Sequence, residues 1–256
     1  MNQPGLNEET LRGMLARGPA RATASVAATR THLAENAGYV AWSGGVDSTA
    51  ALLLARETTP DVPVCFFDSG LEFPETLDYI ARLGDMFRLN LHVIKAVPDA
   101  LTVMAATGAW DHTAPPPRTE MPSLHEALVT VPARKAHALF GCGEVWGLRA
   151  GESGGRRALL APGRGTVRRT DGTVAYSPVW DWRAQDVTGY LAYREVPANP
   201  VYDRLRALGA TGRDLRVGLV IDGNGLQHGR AVWVRHGWPE VWERLVAALP
   251  RLREWA

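Results

Sequence analysis

The sequence predicts an α/β fold, a doubly wound and mostly parallel sheet with helices on both faces. Two observations carry that prediction. Short apolar runs alternate along the chain with helical stretches, and the runs are apolar throughout rather than at every second residue, as in strands buried on both faces. A third sets the size: 256 residues, 46% of them hydrophobic, suffice for one large domain or for a domain with an appendage.

The elements follow in order. Residues 7–36 are alanine-rich and polar with scattered leucines, which predicts one or two helices stopped by Gly38. Tyr39-Val40-Ala41-Trp42 is the first strand, and Asp47 to Glu57 the helix after it. Val62 to Phe67 forms the second strand, Pro74 to Phe87 its helix, and Leu91-His92-Val93-Ile94 the third strand. Thr107 to Pro122, with Pro115-Pro116-Pro117, reads as a loop or lid. Residues 123–141 look helical, and Glu144-Val145-Trp146-Gly147-Leu148 continues the strand series. Gly151 to Gly172 is rich in glycine and arginine, a stretch expected to be mobile until something anionic binds it. Asp171-Gly172 inside it signals a hairpin between short polar strands. The last third predicts a helix at Ala184 to Tyr193 and a final helix from Pro239 to about Glu254, with Pro239 suited to a first turn. The expected organisation is an N-terminal helical segment (1–37), an α/β domain carrying the ligand site (38–218) and a C-terminal helical extension (219–256). The chain shows no internal repeat and no low-complexity tract.

Composition narrows the classes. A net charge of +1 gives no electrostatic signature for nucleic acid or a membrane surface. Of the 28 basic residues only Lys95 and Lys135 are lysines, a bias that suits bidentate phosphate contacts and is equally explained by codon usage. Two cysteines, Cys65 and Cys142, cannot build a disulfide framework, and no apolar run reaches membrane-spanning length. The opening MNQPGLNEETLRG lacks the charged start and apolar core of a secretion signal. A reduced, soluble, cytoplasmic protein with no membrane partner is expected.

The chemistry concentrates in VAWSGGVDSTAALLLA, residues 40–55. A strand running into a glycine turn and then a helix points backbone N–H groups and a positive helix end out of the sheet's carboxyl edge, which makes an anion site. Gly44 and Gly45 let the backbone approach phosphate oxygens, while Ser43, Ser48 and Thr49 offer hydroxyls to them. Asp47 would repel a phosphate, so it caps the helix, orients the loop or helps to hold a magnesium ion. The bland alternative is a tight turn with Asp47 as its cap. A Walker loop is excluded because Val46-Asp47 stands where Lys-Ser/Thr belongs; a dinucleotide loop wants a third glycine near Ser48 or Thr49.

The Ser43-Gly44-Gly45-Val46-Asp47-Ser48 stretch instead resembles the PP-loop of the adenine nucleotide α-hydrolase superfamily, whose Rossmann-like domains hold the pyrophosphate of ATP. Three further segments resemble the phosphoadenylylsulfate (PAPS) reductase family within it: CFFDSGLEFPETLDYI at 65–80, GLRAGESGGR at 147–156, and SPVWDWRAQDVTGYLAYREVPANPVYDRL at 177–205. The resemblance covers about residues 38–218. It implies that Ser43, Gly44, Gly45, Asp47, Ser48 and Thr49 grip the phosphates, that Asp68 meets the nucleoside, and that Arg149 and Arg156 stabilise the leaving pyrophosphate. Glu152 would fix a guanidinium or touch the second substrate; Asp47, Arg149 and Arg156 are the catalytic candidates, Asp47 also the metal candidate. Glu72 divides evenly between a ligand contact and a solvated charge. Asp181, Trp182 and Asp186 read as structural, Arg157, Arg164, Arg168 and Arg169 largely as surface, and Trp233, Trp238 and Trp242 as buried packing or a dimer surface. His92, His125, His137, His228 and His236 lack metal-ligand spacing.

The family pattern breaks at the cysteines. Residues 211–226, TGRDLRVGLVIDGNGL, stand where reductases of the family carry their nucleophilic cysteine, and the chain has none after Cys142. Attack on a sulfuryl sulfur needs a thiolate, and two cysteines cannot hold an iron–sulfur cluster, so none is expected. The expected activity is that of an ATP pyrophosphatase using ATP and Mg²⁺ to adenylate an acceptor, in sulfur transfer or in nucleic-acid or small-molecule modification. The resemblance leaves the acceptor unnamed and allows a sulfur-donor or DNA-modification protein as partner, as well as a homodimer. The alternatives are a nucleotide-binding subunit without turnover and a reductase with an atypical thiol.

Overall fold

The computed structural model describes residues 8–111, 113, 119–221 and 226–256. It is an α/β protein built on a six-stranded sheet in the order β3-β2-β1-β4-β6-β5. The strands are β1 (Gly38–Ala41), β2 (Val64–Asp68), β3 (Leu91–Lys95), β4 (Gly143–Val145), β5 (Thr166–Arg168) and β6 (Val174–Tyr176). β1 pairs in parallel with β2 and with β4, and β4 with β6; β5 is the antiparallel edge. After β1 the chain moves outward through β2 to β3 and then returns to β1's other side for β4. The carboxyl end of β1 is therefore the topological switch point, where open α/β sheets place their ligands.

Strand composition follows from position. Tyr39, Val40, Val64, Cys65 and Val145 are at most 1% exposed, so the inner strands are apolar throughout. The predicted hairpin is present, with Asp171 Oδ1 accepting from Thr173 N (3.0 Å) and Gly172 at φ 86° supplying the left-handed turn. α2 (Val46–Arg56), α3 (Pro74–Met86) and α7 (Ala184–Tyr193) lie within a residue of their predicted bounds.

The chain divides into two compact units. In the first (described residues 8–66, 87–92 and 136–198), α1 (Glu8–Glu35) is one continuous helix although Pro19 lies inside it. It packs on α7 where Gly18 admits the Tyr190 backbone: a Cβ at Gly18 would stand 2.5 Å from Tyr190 N. Trp182, 2% exposed, donates to Ser25 Oγ (3.2 Å), and Asp186, equally buried, accepts from Arg183 N (2.9 Å) and pairs with Arg21 (3.3 Å). Both are structural, as the sequence indicates. The stretch from Gly151 to Gly172 carries regular elements: a 3₁₀ turn (Ala150–Glu152), α6 (Gly154–Leu160) and β5. Ser153 caps α6 by accepting from Arg156 N (3.1 Å), and only Leu160 of that helix is buried, too few apolar residues to mark a helix in the sequence.

The second unit (described parts of 67–86, 93–135 and 199–256) holds α3, α4 (Ala100–Thr107), α8 (Val201–Ala207), α9 (Arg230–Gly237) and α10 (Pro239–Ala248). The final helix is shorter than predicted: it ends at Ala248, and after Leu249 the residues Pro250–Trp255 continue as a 3₁₀ helix. Trp238 and Trp242 are buried, Trp238 tilted against Phe73 with ring centroids 4.4 Å apart and donating to Glu75. Arg230, 5% exposed, donates to the carbonyls of Val220, Asp214 and Arg216 and lies over the Phe73 ring at 5.2 Å. This guanidinium fixes the backbone of 214–220, within the 211–226 segment. Of the predicted lid, residues 112 and 114–118 lie outside the described residues, as do 222–225 of the 211–226 segment.

Candidate functional site

The Ser-Gly-Gly turn sits at the end of β1 and opens α2. Gly44 takes φ 73°, a conformation that favours glycine, whereas Gly45 has φ −80° and serves as the N-cap of α2. That corrects one expectation: Asp47 is not the cap but lies in the first turn, its side chain directed elsewhere. The loop is braced from within. Ser48 Oγ donates to the Gly45 carbonyl (3.0 Å), accepts from Ser43 N (3.3 Å) and lies 3.1 Å from Ser43 Oγ. Thr49, fully buried, donates to the same carbonyl (2.8 Å) and accepts from Trp42 Nε1 (3.0 Å). Its hydroxyl is thus committed to the loop, while Ser43 is exposed. Trp42 was not singled out from sequence; its place between strand and turn is the only signal.

Asp47 Oδ1 accepts from Arg149 Nε at 2.7 Å, joining the β1 loop to the β4 loop across 102 residues of chain. The two loops touch because position 147 carries no side chain: a Cβ on Gly147 would stand 2.3 Å from Ser48 N. Beyond Arg149 the charges alternate. Glu152 Oε2 accepts from Arg149 N (3.1 Å), its Oε1 lies 3.9 Å from Arg149's guanidinium, and Arg156 pairs with it from the next turn. Burial pushes the Asp47 carboxyl above its ordinary value, and Arg149 opposes the shift without cancelling it. The structure thus brings Ser43, Gly44, Gly45, Asp47, Ser48, Thr49, Arg149, Glu152 and Arg156 together in the first unit.

Asp68 ends β2 in the second unit. Its Oδ1 accepts from Gly70 N (2.9 Å), closing a turn in which Gly70 has φ 77°. Glu72 is not a freely solvated charge: Ser69 Oγ donates to its Oε1 at 2.6 Å, and burial raises its carboxyl above the usual range. Among the remaining arginines, Arg169 pairs with Glu144 (2.7 Å) over the Trp146 ring. Both cysteines are free. Cys65 is buried, its thiol pushed up to about 12 chiefly by burial; Cys142 is exposed and precedes β4, at the sheet edge opposite the Ser-Gly-Gly loop. Among the described residues no three His, Cys, Asp or Glu side chains group as a metal site, and no helix is long and apolar enough to cross a membrane.

Comparison with known proteins places these residues in a family context. Residues 38–211 match the domain described as phosphoadenosine phosphosulfate reductase. The phosphoadenosine 5'-phosphosulfate reductase of Xanthomonas oryzae pv. oryzae is 28% identical over 165 residues, 63% of this chain and 64% of that protein. The Aliivibrio fischeri protein of the same name is 31% identical over 166 residues, 63% of this chain and 61% of its own length. The matches thus span less than two thirds of these relatives. A crystal structure of phosphoadenylyl-sulfate reductase from Candida auris, 18% identical, superposes over 68% of this chain and 78% of that one with a TM-score of 0.45.

Proposed function

Since the chain belongs to the phosphoadenosine phosphosulfate reductase domain family, we propose that it works as an ATP pyrophosphatase of the PP-loop type: it binds ATP at residues 43–49, adenylates an acceptor and releases pyrophosphate. The observation that carries this reading is the 2.7 Å bond between Asp47 and Arg149, which sets an arginine over a glycine turn at the switch point of the sheet. In this reading Gly44, Gly45 and Ser43 cradle the β- and γ-phosphates at the start of α2, with Ser48 and Thr49 bracing the turn. An acceptor oxygen attacks the α-phosphorus, and Arg149 and Arg156 take up charge developing on pyrophosphate. In-line displacement asks for positioning and charge neutralisation more than for a dedicated base. Asp68 would accept from the nucleoside. The adenylate then meets a sulfur or nitrogen nucleophile from a partner protein, since the thiol nearest the loop, Cys65, is buried.

Magnesium fits here as a companion of the nucleotide. Asp47 keeps Oδ2 after Oδ1 is taken by Arg149, and magnesium commonly binds through one or two carboxylates, substrate phosphates and water. Bound there, it would neutralise phosphate charge. A reductase reading is disfavoured by the thiols: Cys65 is buried with a raised pKa, and Cys142 lies at the opposite sheet edge.

The test is pyrophosphate release from α-labelled ATP with magnesium, separating AMP from ADP, for wild type, Ser43→Ala and Asp47→Ala. AMP and pyrophosphate from wild type, reduced at least tenfold in both variants at little change in thermal midpoint, are expected. Saturable ATP binding without turnover across an acceptor panel would replace this reading with a nucleotide-binding subunit. A large loss of stability with unimpaired ATP use would return both residues to a structural role.

A further inference from the structure

A second cleft, of about 560 Å³, opens beside Arg149 in the first unit. Its walls are the 3₁₀ turn after β4, α6 and the loop before α7, with Arg149, Arg157, Arg183, Trp180, Asp181 and Ala161 among the lining residues. That volume suits a small organic ligand. Arg157 and Arg183 are exposed and make no ion pair among the described residues. Asp181, the one carboxylate in the lining, is paired with Arg21 at 3.2 Å. The cleft is therefore cationic, with two guanidiniums unclaimed.

Its aromatic wall is fixed. The Trp180 carbonyl accepts from Ala150 N (2.7 Å), tying it to the turn that carries Arg149. Gly165 abuts the indole so closely that a Cβ there would lie 2.6 Å from Trp180 Cδ1. The lining includes no histidine, and its carboxylate is engaged. Among the described residues the lining thus holds no free base, and an acceptor oxygen that is already ionised needs none.

We infer that this cleft is the acceptor subsite and takes an aromatic carboxylate, its ring against Trp180 and its anionic head drawn by Arg157 and Arg183. The inference rests on the ATP reading above for the chemistry, though not for binding. Arg149 belongs to both sites, through Asp47 on one side and the cleft wall on the other. A carboxylate oxygen forms the bond to the α-phosphorus while the bond from that phosphorus to the bridging oxygen breaks. The electron pair leaves with pyrophosphate, no proton moves, and no oxidant or reductant is needed.

The probe is 2-naphthoate, titrated calorimetrically into the whole protein and added to the pyrophosphate assay. Saturable binding is expected, weakened about tenfold or more by Arg157→Ala and by Arg183→Ala, as follows from losing one charge-assisted hydrogen bond. Arg168→Ala, away from the cleft, should bind as wild type, acetate at least tenfold more weakly than naphthoate, and KM for ATP should stay put in all three variants. Absence of binding at millimolar naphthoate, or equal binding by the arginine variants, overturns the subsite; equal affinity for acetate overturns the aromatic part. Arginine-dependent binding with no pyrophosphate release leaves the subsite standing and defeats the ATP reading. Pyrophosphate release without naphthoate binding does the reverse.

Discussion

Gly147→Ala is the sharpest structural test of the site. The added Cβ would lie 2.3 Å from Ser48 N and 2.4 Å from Ser48 Cα, where ordinary contact begins at 3.4 Å. Both partners are backbone, so no side chain can swing away, and the two loops must part by about 1.1 Å, from 3.4 − 2.3. Added to the 2.7 Å between Asp47 and Arg149, that separation takes the pair past hydrogen-bonding reach. Overpacking of this kind costs about 1–3 kcal/mol, which for a chain of this length lowers the melting midpoint by roughly 2–12 °C. Misplacing a catalytic group by about 1 Å costs on the order of 10²-fold in turnover. Gly154→Ala is the control, since a Cβ there meets nothing within 4 Å. Thermal melts and pyrophosphate release on both variants decide the matter. A Gly147→Ala protein with wild-type midpoint and wild-type turnover would refute the idea that close approach of the two loops builds the site.

Three further outcomes follow from the same geometry. Because burial raises the Asp47 carboxyl, its contribution to stability is present in acid and lost as pH rises through the folded value; Asp47→Asn should therefore gain in midpoint relative to wild type between pH 4 and 7.5, and a relative loss over that range in paired melts would show the Arg149 pair outweighing burial. In the native protein a thiol reagent at pH 8 should modify Cys142 and spare Cys65, whose thiol is held near 12 by burial; mass spectrometry showing Cys65 labelled first would contradict its placement. Arg230→Ala removes donors from three carbonyls and should cost about 2–4 kcal/mol, read by urea denaturation, whereas a change under about 0.5 kcal/mol would show the 214–220 segment to be held by other contacts.

The sequence made the sheet legible because its inner strands are buried on both faces and α2 and α3 begin at glycine or proline signals. α2 begins directly after Gly45 and α3 at Pro74, and both were placed within a residue. α6 was hidden because Gly154-Gly155-Arg156-Arg157 shows no apolar periodicity and only Leu160 turns inward. Residues 7–36 left one helix or two open; α1 is a single helix, and Gly18 within it admits the Tyr190 backbone of α7. At the site, motif spacing pointed to Asp47 and Arg149 separately, but no local pattern reveals a bond across 102 residues. The bracing role of the Thr49 hydroxyl is illegible for a related reason: its partner Trp42 stands seven residues back along the chain, outside any motif spacing.

The alternation Asp47, Arg149, Glu152, Arg156 bears on how tightly a phosphate could be held. Two carboxylates alternating with two guanidiniums leave the set formally neutral, so its long-range pull on a polyanion is weak. What the carboxylates add is position: each guanidinium is held before ligand arrives, which spares the rotamer entropy that a free arginine would lose on binding. Electrostatic stabilisation of a transition state depends on donors that need no reorganisation at the moment of reaction. Under the proposed function, truncating Glu152 to alanine should then raise ground-state ATP affinity or leave it unchanged, by removing a negative charge, while lowering turnover through the loosened Arg149 and Arg156. A fall in both affinity and turnover would instead make Glu152 a direct ligand of the nucleotide or of the acceptor.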